Sequence, residues 1–151
     1  MKARSAMTRD VVCIAPANDL DAAWELMTRL RMRHLVVLDG NRLVGVLSDR
    51  DVLIRARQEE GTIMVPSIPV AHAMTPRPIT CLPSASISHV AGLMLDNRID
   101  CVPVVDSLGA LVGLITSTDL LELLRDRDDV ERKNVPFDFR LHHGMVEALP
   151  V

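Results

Sequence analysis

Leu43-Val44-Gly45-Val46-Leu47-Ser48-Asp49-Arg50-Asp51-Val52-Leu53 returns further down the chain as Leu111-Val112-Gly113-Leu114-Ile115-Thr116-Ser117-Thr118-Asp119-Leu120-Leu121. Each copy has an apolar run, a hydroxyl residue, an acid three positions later and two apolar residues after it. Upstream the correspondence continues. Each copy is preceded by a Met-Thr pair (Met7-Thr8, Met74-Thr75), a strand ending in Pro (Pro16, Pro83), a helix holding a Met (Met27, Met94) and a second strand closing on Asp (Asp39, Asp106). The offset is 67 residues from Met7 to Met74 and 68 from Gly45 to Gly113, so the second hairpin carries one insertion. A duplicated unit signals two copies of one structural element that bury their apolar faces on each other, which puts a site between the copies.

The first copy reads as β-α-β-β-α. Val11 to Ile14 suits a short strand. Asp19 to Arg31 suits a helix, because Leu20, Ala23, Met27 and Leu30 fall on one face, with Asn18 or Asp19 as N-cap. Leu35 to Leu38 is a continuous apolar run, as expected of a strand buried on both faces. Asp39-Gly40-Asn41 turns the chain, Leu43 to Leu47 returns antiparallel, and a helix starts near Asp49 and runs to about Arg57. The second copy repeats this with a strand Ile79 to Leu82, a helix Ser86 to Asn97, a hairpin Cys101 to Ile115 around Ser107-Leu108-Gly109, and a helix Ser117 to about Arg125. The expected organisation is therefore α+β, with repeats at 7–57 and 71–125, a linker at 58–70 and a tail at 126–151. Gly61, Pro66 and Pro69 suit a loop in the linker, where Thr62-Ile63-Met64-Val65 either forms a short strand or packs under the sheet. In the tail, Val135-Pro136-Phe137-Asp138-Phe139 is expected to dock, and His142-His143 reads as an exposed pair.

Composition narrows the function. Of 151 residues, 48% are hydrophobic but only 2% aromatic, so Val, Leu, Ile and Met must fill the interior. Trp24, Phe137 and Phe139 offer almost no stacking platform for single-stranded nucleic acid, and a net charge of −3 argues against a phosphate-backbone binder. Cys13, Cys81 and Cys101 are odd in number, lie on expected strands and show no C-x-x-C spacing, which suits buried thiols in a reducing compartment. No run approaches the ~20 apolar residues of a membrane span, and no apolar stretch follows Lys2 and Arg4 as a secretory signal would require. The expectation is a cytoplasmic protein. His72 and His89 lack acidic or cysteine partners at ligand spacing, so no metal site is expected.

The repeated motifs resemble the cystathionine-β-synthase (CBS) domain family, in its tandem-pair form known as the Bateman module. Gly45-Val46-Leu47-Ser48-x-x-Asp51 and Gly113-Leu114-Ile115-Thr116-x-x-Asp119 carry the resemblance, with Val102-Pro103-Val104-Val105-Asp106 close to the family's hairpin strand. It implies two pseudo-two-fold-related halves packed by their sheets, two clefts, and a further pairing into a homodimer. It also implies binding of AMP, ADP, ATP or S-adenosylmethionine, with the motif Asp on the ribose hydroxyls and the Ser/Thr on ribose or phosphate. Carried over by position, cleft one would use Val11, Val12, Met32, Arg33, His34, Ser48, Arg50 and Asp51. Cleft two would use Pro78, Ile79, Ile99, Asp100, Thr116, Thr118 and Asp119.

The chemistry is sound on its own terms, and so is a simpler alternative. A carboxylate can accept from both vicinal hydroxyls of a ribose, and a helix start suits a phosphate. Yet Ser48-x-x-Asp51 and Thr116-x-x-Asp119 each fit a helix capping box, which needs no ligand and stabilises by about 0.5–2 kcal/mol. Cap and site are compatible. The first copy gathers Arg29, Arg31, Arg33, His34, Arg50 and Arg55, where the second has Asp100, Cys101 and Thr118 at the positions of Arg33, His34 and Arg50. An acid facing a phosphate at 4 Å costs ~1–4 kcal/mol, so cleft one is expected to favour phosphorylated ligands and cleft two to be empty or take a less anionic one. The alternative for the arginines is a solvated helix face. The reading that follows is a regulatory sensor acting by conformational change on an effector protein, not an enzyme. Its rival is a ligand-free scaffold dimer, with Arg33 and Arg50 folded inward onto Asp51.

Overall fold

The computed structural model describes residues 1–126. The first repeat runs β1 (Cys13–Ile14), α1 (Leu20–Leu30), β2 (His34–Asp39), β3 (Arg42–Ser48) and α2 (Asp49–Leu53). A ribbon of β4 (Arg57–Glu59) and β5 (Thr62–Met64) follows, then β6 (Thr75–Pro76), α3 (Ile87–Asn97), β7 (Cys101–Val105), β8 (Leu111–Thr116) and α4 (Ser117–Arg125). Short 3-10 turns at Ala3–Ser5 and Val70–His72 introduce the two Met-Thr pairs.

Helix α1 buries Leu20, Ala23 and Met27, as their spacing requires. Asp19 is its N-cap by position but makes no side-chain cap bond. Both long helices stop on an arginine in the left-handed region, Arg31 and Arg98, each at φ 53°. Their N–H groups turn back onto carbonyls of the last helical turn, of Met27 and Thr28 in one case and Leu95 and Met94 in the other. Glycine is the usual residue for such a stop.

Strand β1 pairs parallel with β2, and β2 pairs antiparallel with β3. The fourth strand of that sheet is β6, whose Thr75 lies opposite Val46. The exchange is reciprocal: Thr8, from the start of the chain, bridges Leu114 in β8 through two hydrogen bonds of 2.9 Å. Each Met-Thr segment therefore completes the sheet of the other repeat. Gly45 and Gly113 make room for it. A Cβ on Gly45 would lie 2.5 Å from Met74 Sδ and 3.0 Å from the Thr75 carbonyl oxygen. On Gly113 it would lie 2.6 Å from Met7 Sδ and 3.0 Å from the Thr8 carbonyl oxygen.

Side chains along β2 alternate between two cores, as a pleated strand buried on both faces must. Leu35 and Val37 join Leu20, Ala23, Met27, Leu47, Val52 and Val70 beneath α1 and α2. Val36 faces the other way, onto Cys101 and Leu114 of the second repeat, with Val11, Cys13, Leu38, Leu43, Val46 and Leu111 around them. That shared layer joins the two sheets. The second repeat has its own core of Val90, Met94, Val102, Val104 and Ile115, closed by Ala3 from the N-terminal segment.

Two expectations are corrected. Helix α2 ends at Leu53 rather than near Arg57, because Arg57 enters β4, and the strand expected at Ile79 to Leu82 is reduced to a single bridge from Cys81 to Val104. Of the two alternatives left open in the linker, the short strand holds: Thr62–Met64 pairs antiparallel with Arg57–Glu59. The readings at Val135–Phe139 and His142-His143 lie outside the described residues.

Candidate functional site

Both strand-to-helix junctions are capped in the same way. The Ser48 hydroxyl accepts from the Asp51 N–H at 3.1 Å, while Asp51 Oδ2 accepts from the Ser48 N–H and hydroxyl, both at 2.8 Å. Thr116 and Asp119 repeat the pattern, with the acid's Oδ2 at 2.7 Å from both the Thr116 N–H and hydroxyl, and the Asp119 N–H 3.3 Å from Thr116 Oγ1. The caps consume one oxygen per carboxylate. Oδ1 of Asp51 and Oδ1 of Asp119 make no hydrogen bond among the described residues, and both side chains are half-buried at the wall of a cavity.

The two cavities are crossed between the repeats. Asp51 shares one of about 270 Å³ with Ser48, Arg50, Pro78, Ile79, Ile99 and Asp100. Asp119 shares one of about 220 Å³ with Thr116, Thr118, Val11, Val12 and Met32. Arg33 and His34 line both. All fifteen candidate positions named from the sequence thus fall on one cavity or the other, but the grouping by repeat does not hold. The reason is the exchanged sheet: β6 carries the chain of the second repeat along β3, so Pro78 and Ile79 arrive beside Asp51. By the mirrored exchange, Thr8 at β8 brings Val11 and Val12 beside Asp119. A wider surface depression of about 520 Å³ between β1 and α1, lined by Ala15, Ala22, Glu25 and Arg29 among others, lies away from both acids.

The CBS domain family model matches residues 3–57 and 70–126. The chain belongs to the CBS domain family. Inosine-5'-monophosphate dehydrogenase of Korarchaeum cryptofilum is 33% identical over 119 residues, which are 79% of this chain and 23% of that enzyme. The chain thus spans about a quarter of the length of such relatives. The chloroplastic CBS domain-containing protein CBSX2 of Arabidopsis thaliana is 30% identical over 128 residues, covering 68% of this chain and 54% of that protein. The crystal structure of CBSX2 in complex with AMP superposes with a TM-score of 0.70 at 27% identity, covering 82% of this chain and 96% of that one. The cytosolic domain of the Mg2+ channel MgtE in complex with ATP superposes with a TM-score of 0.66 at 28% identity, covering 81% and 48%.

Within this CBS pair the clefts differ in charge, but not through Asp100: the acid expected to repel phosphate from the Asp119 cleft lines the Asp51 cleft instead. The Asp51 cleft gathers Arg33, Arg50, Arg77 and Arg98 against Asp49, Asp51 and Asp100. The Asp119 cleft has Arg31 and Arg33 against Asp10 and Asp119. Arg33 does not fold onto Asp51; its Nε pairs with Asp49 Oδ2 at 3.2 Å. The Arg33 side chain is 63% exposed, so water screens the pair and leaves it worth well under ~1 kcal/mol. Arg50 makes no ion pair among the described residues. Arg29 sits apart in the depression on the outer face, and Arg55 is spent on the Asp51 and His72 carbonyls.

Burial lowers the pKa of His34 below 6.5, with Asp49 pulling the other way. Burial pushes the Cys101 thiol up to about 12, helped by Asp119 and Asp100. Cys81 is buried like Cys101, while Cys13 is half-buried. No group of three or more His, Cys, Asp or Glu side chains that could hold a metal occurs among the described residues, and no described helix is long and apolar enough to cross a membrane.

Sequence reasoning missed Arg77, Arg98 and Thr75 at the Asp51 cleft and Thr8 and Asp10 at the Asp119 cleft, and it grouped Arg31 with the first copy's arginines, whereas Arg31 lines the Asp119 cleft. The 67-residue offset was the available signal, since Thr8, Asp10 and Arg31 pair with Thr75, Arg77 and Arg98.

Proposed function

We propose that this CBS pair is a regulatory module whose clefts hold adenylyl ligands and whose bound state biases a second protein. The observation that supports this most is the crossing of the clefts. Each offers a carboxylate oxygen not used by the cap, a helix start, and an apolar wall from the opposite repeat. A ligand seated there touches both halves at once. Its binding free energy therefore differs between arrangements of the halves, which is the requirement for shifting a conformational equilibrium. In this reading Asp51 and Asp119 take ribose hydroxyls, Ser48 and Thr116 face ribose or phosphate, and Ile79 or Val12 backs the base.

The charge asymmetry supports different ligands in the two clefts. Arg77 and Arg98 give the Asp51 cleft a phosphate-binding wall, so AMP, ADP or ATP belongs there. Asp10 stands where Arg77 would be in the mirrored cleft and favours a less anionic occupant such as adenosine or S-adenosylmethionine. For the whole assembly we propose a homodimer. Leu53 and Leu121 occupy mirrored positions and are 44% and 64% exposed, beside Ile54 at 71% and Leu124 at 55%. A second copy would cover them. The effector would be a protein that reads the arrangement of this assembly.

Thermal melting with AMP, ATP, adenosine and S-adenosylmethionine tests the reading. A ligand at 100 times its dissociation constant adds about 2.7 kcal/mol. Asp51→Asn should abolish the gain from AMP or ATP. Arg77→Asn and Arg98→Asn should weaken AMP and ATP without weakening adenosine; Asn suits the left-handed backbone at both positions. No response from the parent chain to any of the four ligands would leave only the scaffold reading, which the closed capping boxes favour.

A further inference from the structure

The ribbon β4–β5 stands between the repeats with no counterpart among the described residues. Glu60 and Gly61 close it at φ 49° and 81°, the backbone of a type I′ turn. Every residue of both strands is exposed, Ile63 at 48% and Met64 at 49%. No backbone hydrogen bond joins residues 57–64 to any other described segment. A lone two-stranded ribbon is marginal in water, and its open edges invite a further strand.

The ladder shows which edge is ready. Glu59 and Thr62 flank the two-residue turn and form the hydrogen-bonded pair, so alternation makes Gln58 and Ile63 the non-bonded one. Gln58 therefore turns both its N–H and its C=O to the outer edge of β4. On either side of it stand Arg57 and Glu59.

We propose that the outer edge of β4 pairs antiparallel with the same edge of a second copy, about a two-fold axis through Gln58. Gln58 then exchanges both backbone hydrogen bonds across the axis. Arg57 lies opposite the partner's Glu59, and Glu59 opposite the partner's Arg57, on one face of a four-stranded sheet. Charge selects this register over its neighbours. An axis through Arg57 or Glu59 would set like charges face to face, and so would parallel pairing in register. The outer edge of β5, Thr62-Ile63-Met64, offers no charge match at all. The contact is independent of what the clefts bind.

Sedimentation of the full chain carrying Ile54→Glu and Leu121→Glu, which removes the α2–α4 contact, tests it over a concentration series, with circular dichroism to show that each variant keeps its fold. Arg57→Glu and Glu59→Arg should each weaken self-association by about tenfold, and the double swap should restore it to within about threefold. Gln58→Pro removes the outward N–H while sparing the ladder to β5, and should weaken association as well. Gln58→Cys should cross-link to itself under mild oxidation, whereas the parent chain should not. A monomeric Ile54→Glu/Leu121→Glu chain, unchanged single variants, or a double swap as weak as the singles would each overturn the proposal.

Discussion

At the scale of single residues, Gly45 and Gly113 set how close the two repeats can come. Neither lies at positive φ, so their role is space rather than backbone freedom. The methionine side chains in the way could swing aside, but the Thr75 and Thr8 carbonyls at 3.0 Å belong to the bridging backbone. Gly45→Ala and Gly113→Ala should each destabilise by about 1–3 kcal/mol, read as a lower urea midpoint, and the pair should add because the sites lie on different sheets. His34 adds a dependence on pH. Burial holds its pKa below 6.5, so the unfolded chain takes up the proton more readily than the folded one. Its contribution is complete above about pH 6.5 and is lost as pH falls through the depressed value. Urea melts between about pH 7.5 and 5.5 should show a steeper loss in the parent than in His34→Gln. Equal slopes would remove this role.

At the scale of elements, the two strand-to-helix junctions carry structure and chemistry with the same residues. Ser48→Ala and Thr116→Ala should each cost about 1 kcal/mol, since each strips a helix start of its side-chain acceptor. Chemical denaturation without ligand checks this, and a loss below ~0.3 kcal/mol would mean that the caps are idle. The capping pattern was readable from Ser48-x-x-Asp51 because a cap is a local event within one turn. The β4–β5 ribbon was not readable as such. Arg57-Gln58-Glu59 has no apolar alternation, and the deciding Glu60-Gly61 turn needed a non-glycine residue at positive φ.

At the scale of the whole molecule, the mirrored apolar residues on α2 and α4 predict self-association. Leu121→Glu combined with Ile54→Glu should lower the mass of the assembly in light scattering while leaving the β4 contact in place, because both residues are already exposed and their replacement spares the core. Persistence of the same oligomer would place the contact elsewhere. The ligand expectations belong to this scale too, since neither cleft exists within a single repeat.

The sequence alone determined the duplication, the β-α-β-β-α order of the first repeat and the caps, and its resemblance to the CBS family named the fifteen positions that line the clefts. These are readable because periodicity, capping and repeat offset are properties of neighbours along the chain. Which residues face each other was decided only by tertiary structure. The Met7-Thr8 and Met74-Thr75 segments cross to the opposite sheets, so each cleft is assembled from both repeats. Thr8 to Leu114 and Val46 to Thr75 are pairings between distant segments, and no local pattern states with which copy of a repeated strand a segment will pair.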